Sequence, residues 1–122
     1  MSDTVTLYRP VGPKELELII ESGWKAFPER LPEQPIFYPV LNHEYAVEIA
    51  KDWNSSSADS DYKGFVTKFS ISQEYIDKFE IKQAGSSKHL EYWIDSAELE
   101  NFNSHIVGLI EVTDSFENKK RV

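Results

Sequence analysis

The chain has no cysteine, which excludes disulfides and thiolate metal sites. It has one methionine and five glycines, and no GxxxxGK or GxGxxG phosphate loop occurs. A nucleotide, if bound, is therefore held without a P-loop or Rossmann turn. No GxSxG elbow points to a serine nucleophile. The three histidines, His43, His89 and His105, form neither HxH nor HxxxH pairs, so the spacing gives no metal site. Asp59 and Asp61 lack the ligand spacing and closing Glu of a calcium loop. No run reaches the ~18 to 20 apolar residues of a membrane span. The opening MSDTVTLYRP lacks the basic and apolar regions of a signal peptide, and the expectation is a cytoplasmic protein. Basic residues are scarce: 13 Lys and Arg stand against 21 Asp and Glu, a formal net charge of −8. Such a chain disfavours nonspecific attraction to nucleic acid or anionic membrane.

What is present fits one compact domain of 122 residues, with 40% hydrophobic and 13% aromatic residues. Residues 4–9 (TVTLYR) read as a strand. Gly12-Pro13 opens a helix with Leu16, Ile19 and Ile20 on its buried stripe, and Gly23 ends it. The Pro-rich stretch after it reads as a wrapped, irregular loop. Residues 36–38 form a short strand. Asn42 caps a helix over 43–53, with Ala46, Ile49, Ala50 and Trp53 on one face. NSSSADSD opens a mobile surface loop over 54–63.

Residues 64–71 alternate as a strand, Phe65, Thr67, Phe69 and Ile71 against Val66, Lys68 and Ser70. A short helix capped by Ser72 follows and ends near Phe79. Residues 88–95 (KHLEYWID) form another strand, and a helix capped by Asp95 or Ser96 carries Leu99 and Phe102. The last strand spans 106–112, with Gly108 as a bulge or close-approach point. A frayed tail over 117–122 carries the only basic cluster, Lys119, Lys120 and Arg121. The pattern predicts an α+β fold: a curved, mostly antiparallel split sheet with packed helices.

Two residues invite chemistry. Arg9 ends the first apolar strand, and a guanidinium is the natural fork for phosphate. The plain alternative is a surface ion pair. Glu91 shares a strand face with His89 and Trp93. In a cleft its charge can bind a ribose hydroxyl or stabilise positive charge developing on a sugar carbon. The plain alternative is a solvated face, with Glu91 pairing a cross-strand lysine such as Lys68.

The order of these features resembles the ADP-ribosyltransferase-like superfamily. TLYRPVGPKELELIIESG is similar to that family's first strand ending in Arg after an aromatic, followed by a helix and glycine. PIFYPVLNHEYAVEIAKDW resembles the stretch of poly-ADP-ribose polymerases that supplies aromatic contacts to nicotinamide. HLEYWID resembles the strand that carries the catalytic Glu, and ELENFNSHIVGLIEV the closing helix and strand. The YRPVG, IFYPVLN and EYWI blocks resemble a small bacterial family labelled ADP-ribosylation/crystallin J1.

The resemblance implies NAD as substrate. It places Arg9, with Tyr8 beside it, on the phosphates or ribose, and Phe37 or Tyr38 against nicotinamide. Glu91 becomes the catalytic Glu that holds the nicotinamide ribose and stabilises the oxocarbenium-like state, and His89 sits where a substrate-directing acid lies. The Ser-Thr-Ser motif of arginine-specific toxins is absent, and His89 replaces the first acid of Glu-x-Glu. Both departures argue against an arginine acceptor and leave the acceptor unknown. Two other readings compete. One is a non-catalytic acidic binding module, of adaptor, antitoxin or immunity type, and the other a small hydrolase with paired carboxylates.

Overall fold

The computed structural model describes residues 3–30 and 32–122. It is an α+β fold in which every strand pairing is antiparallel. β1 (Thr4–Val11), β3 (Lys63–Ser72), β7 (Ile106–Glu117) and β8 (Lys120–Arg121) lie side by side in the order β1-β3-β7-β8. Two ribbons complete the sheet system: β2 (Ile36–Phe37) with β6 (Ile94–Asp95), and β4 (Ile81–Gln83) with β5 (Leu90–Tyr92). The helices are α1 (Pro13–Glu21), α2 (His43–Ile49), α3 (Gln73–Ile76) and α4 (Leu99–Ser104). No helix among the described residues is long and apolar enough to cross a membrane.

Strand alternation puts two apolar faces on the main sheet. Leu7, Val11, Phe69, Ile71 and Ile110 face the larger core with Ile19, Ile76 and Phe102 from three helices. Val66 and Phe116 face a smaller core with Ala46 and Ala50 beneath α2, and Tyr8 packs at its edge. Phe27, Phe37, Phe69 and Phe102 knit the larger core through tilted and edge-on contacts 5.0–5.9 Å apart. Gly108 has φ +80 and lies where β7 spends extra residues against β3, the bulge its sequence position indicated.

The two parts of the sheet meet at Val40, which bridges Tyr8 on one side and Glu91 on the other. Tyr8 and Val40 exchange both backbone hydrogen bonds, Leu41 N–H donates to Leu90, and Tyr92 N–H donates to Pro39. This joint carries the position of the site. It sets Arg9, next to Tyr8, and Glu91 on neighbouring chain segments, although most of the sequence separates them.

Three segments depart from expectation. The helix over 43–53 does not stay α: after Ile49 it widens into a π-helical turn, Ala50–Asn54. The extra residue per turn rotates Trp53 out of the apolar stripe, to 73% exposure. The loop over 54–63 is tied down, with a 3-10 turn at Ala58–Ser60 and Ser55 fully buried. The tail, expected to fray, is drawn back onto the sheet. Asn118 and Lys119 turn at positive φ, β8 folds back on β7, and Arg121 pairs with Asp114.

Asp114 anchors that hairpin. It accepts from Thr113 Oγ1 at 2.7 Å and Arg121, and contacts His43 Nε2 at 2.5 Å. Burial works to raise its pKa, but hydrogen bonds from Thr113, Arg121 and His43 outweigh burial and hold it at about 2. A folded pKa below the unfolded one gives stability that is complete above the unfolded value and lost as pH falls. We expect Asp114→Asn to lower stability by about 1–3 kcal/mol at neutral pH. In urea melts across pH, the gap between wild type and variant should hold down to about pH 5 and shrink between about pH 4 and 2.

Candidate functional site

The joint opens a cleft of about 640 Å³ whose walls include Arg9, Glu15, Arg30, Tyr38, Tyr45, Asn54, Glu91 and Trp93. That volume lies within the usual range of small-ligand sites. Two charged regions occupy it, one built on Arg9 and one on Glu91.

Arg9 belongs to the inward face of β1, in line with Leu7 and Val11, and is 8% exposed. A buried guanidinium needs partners. Nε and Nη2 donate to the two oxygens of Glu15 at 2.9 and 3.0 Å, a forked pair. Nη1 reaches the Tyr38 carbonyl at 3.4 Å, and the guanidinium lies 4.7 Å above the Phe37 ring. Glu15 sits in the first turn of α1, which Pro13 starts directly after β1. The short connection is what brings the carboxylate back over Arg9.

Arg30 comes from the Pro-rich loop and approaches the same carboxylate at 3.7 Å. Its Nη2 donates to Ile36 O at 3.3 Å, while its buried Nε has no partner. Burial, then the charge of Arg9, pushes the Arg30 pKa down, and Glu15 and Tyr38 pull it back. The cluster thus holds two cations and one anion.

Glu91 is 7% exposed and sits in the centre of β5. Its Oε1 accepts from the Tyr45 hydroxyl at 2.7 Å, and its Oε2 from Trp93 Nε1 at 2.6 Å. Both donors orient the carboxylate without neutralising it. Burial, then the hydrogen bond to Glu91 and its charge, raises the Tyr45 pKa far above the ordinary phenol range. Tyr45 therefore remains a donor. Asn42 caps α2 by accepting from Tyr45 N–H at 2.7 Å, and its amide donates to Lys88 O. The cap pins the helix start beside β5 and delivers Tyr45 to Glu91.

Lys68 does not pair with Glu91; it lies opposite Tyr8 and Glu111. The residue opposite Glu91 is Lys82, whose ammonium rests 5.4 Å over the Trp93 ring. Tyr38 and Trp93, 40% and 50% exposed, meet edge to face at 6.2 Å and form an aromatic lip between the two charged regions.

The structure thus gathers Arg9, Tyr38 and Glu91 in one cleft and leaves three other expected residues outside it. Phe37 is fully buried and cannot stack on a ligand; its ring forms the floor beneath Arg9. Tyr8 points to the opposite sheet face, edge-on to His43 at 5.5 Å. His89 precedes β5, so strand alternation does not reach it. Its ring stacks on Tyr45 at 4.4 Å and bonds Glu48 at 2.9 Å, bracing the side chain that holds Glu91.

Glu15, Arg30, Tyr45 and Asn54 enter the cleft without having been singled out. One signal existed: the chain has only three arginines, and two of them line this cleft. No family model matches the chain, and neither a curated protein nor a solved structure matches it.

Proposed function

We propose that the chain is an ADP-ribosyltransferase-like protein that binds NAD in this cleft and transfers ADP-ribose from it. The observation that carries the reading is the meeting of Arg9 and Glu91 across the aromatic lip of Tyr38 and Trp93. The Arg9 region takes the diphosphate, the lip takes the flat nicotinamide, and Glu91 takes the attached ribose.

The reaction breaks the bond from ribose carbon to the nicotinamide nitrogen, and the electron pair leaves with nicotinamide. An acceptor lone pair forms the new bond to the same carbon, and the acceptor's proton passes to solvent. Positive charge builds on the sugar carbon between these events. Glu91, desolvated and fixed by two donors, supplies the opposing charge.

A calorimetric titration tests the reading. Wild type should bind NAD saturably, and Arg9→Ala should weaken binding at least about tenfold, the loss of a charged hydrogen-bonded contact. Wild type with no saturable binding at millimolar NAD overturns it.

One observation favours the non-catalytic binding module: Glu15 already fills the fork of Arg9. The paired-carboxylate hydrolase finds less support, because the other acid of the cleft, Glu15, has both oxygens bonded to Arg9 when no ligand is present.

A further inference from the structure

We infer that Arg9 and Arg30 form one anion site in which Glu15 is an internal occupant, so that a diphosphate enters by displacing the Glu15 carboxylate. The inference rests on the NAD reading only for the identity of the natural ligand; the site itself follows from the charges and bonds of this cluster.

Glu15 serves the two cations unequally. Both of its oxygens bond Arg9, while its nearest approach to Arg30 is 3.7 Å, beyond hydrogen-bond range. The Nε–H of Arg30 is left buried and unpaired. Native structures leave few such donors unsatisfied, and each raises the energy of the state that contains it. The guanidinium side chains are 10% and 12% exposed, so water does little to relieve them. A carboxylate has too few oxygens and too little charge for two forks. A diphosphate carries more of both and can serve Arg9 and Arg30 together.

Glu15 is also free to leave. It stands in the first turn of α1 on a side chain 19% exposed, and a rotamer change would carry it toward solvent without moving the helix. The cleft wall beside it contains no other acid until Glu91. Glu15 therefore sets how tightly the cleft takes an anion, and keeps Arg9 paired when no ligand is present.

The test uses inorganic pyrophosphate, and NAD in parallel, titrated into wild type, Glu15→Gln and Arg30→Met. Glu15→Gln removes the competing charge and keeps the shape. It should bind pyrophosphate at least about tenfold tighter than wild type. Arg30→Met should bind at least about tenfold weaker than wild type. Pyrophosphate binding to Glu15→Gln that is absent, equal or weaker overturns the inference. If Glu15→Gln does not fold, Arg30→Met decides: unchanged pyrophosphate affinity overturns the inference. The two readings separate cleanly. The expected pyrophosphate ranking with no NAD binding upholds the anion site and rejects the NAD reading. NAD binding that neither variant alters upholds the NAD reading and rejects the displacement.

Discussion

Glu91→Gln should remove catalysis and leave the cleft standing. The expected loss is about 10² to 10³-fold in nicotinamide release, the range for removing one group that opposes transition-state charge. NAD affinity should change by less than about threefold, because in the ground state the positive charge sits on the nicotinamide ring and reaches the sugar carbon only as the bond breaks. The variant should also fold. Trp93 Nε1 can only donate, so the new amide turns its oxygen to Trp93. Its NH₂ then faces the Tyr45 hydroxyl, which can accept as well as donate. Both contacts survive, the Trp93 bond unchanged in direction and the Tyr45 bond reversed, while the charge is gone. Measured as rate against NAD concentration, the effect belongs in kcat. A variant that keeps more than about a tenth of wild-type turnover removes Glu91 from the chemistry. A protein with no turnover in either form, but with a partner bound equally by both, is the non-catalytic module.

Gly64→Ala should be the most damaging small substitution outside the cleft. Gly64 is the second residue of β3 and lies against the π-helical turn. A methyl there would stand 2.2 Å from the Ala50 carbonyl oxygen and 2.8 Å from Asn54 Cβ. The first neighbour is backbone, so neither partner can yield by rotating a side chain. We expect a loss of about 3 kcal/mol in denaturant midpoint measurements, the upper part of the range for overpacking. Gly108→Ala is the useful contrast. Its backbone is in the left-handed region, but its methyl would meet nothing within 4 Å, so the penalty is only backbone strain, about 1 kcal/mol. The Gly64 clash also reaches the site, because the displaced turn carries Asn54, part of the cleft wall. A loss at Gly64 no larger than at Gly108 would mean that the turn is not packed as described.

The sequence carried the elements whose neighbours in space are also neighbours in pattern. Alternation at Phe65, Thr67, Phe69 and Ile71 marked β3, and Pro13 marked the start of α1. Asn42 and Ser72 were legible as caps because the side chain, not the distant fold, makes the bond. Periodicity misled at Trp53, since one π turn resets the phase of everything after it. It misled at His89 as well, where β5 starts one residue too late to include it. The basic tail read as frayed because the partner that orders it, Asp114, acts through a turn whose residues adopt positive φ. β4 was missed: Ile81–Gln83 is short, has no buried residue, and exists only through its pairing with β5.

The site was legible at its poles and not between them. Arg9 ended an apolar run and Glu91 shared a strand face with His89 and Trp93, and the order of features, not the chemistry alone, set them apart from a surface ion pair and a solvated face. Glu15 and Arg30 did not, because their meeting depends on a tight strand-to-helix connection and an irregular loop. Tyr45 gave no signal of its own; the Val40 joint and the Asn42 cap together bring its hydroxyl to Glu91.

The proposed binding of NAD in the cleft between Arg9 and Glu91 can be read from the three indole N–H signals of Trp24, Trp53 and Trp93. Only Trp93 lines the cleft, and its N–H is the one bonded to Glu91. In a nuclear magnetic resonance titration with NAD, the Trp93 indole signal should shift and saturate while those of Trp24 and Trp53 stay in place. A Trp93 signal that does not move at millimolar NAD, or a saturating shift confined to Trp24 or Trp53, would contradict NAD binding in this cleft.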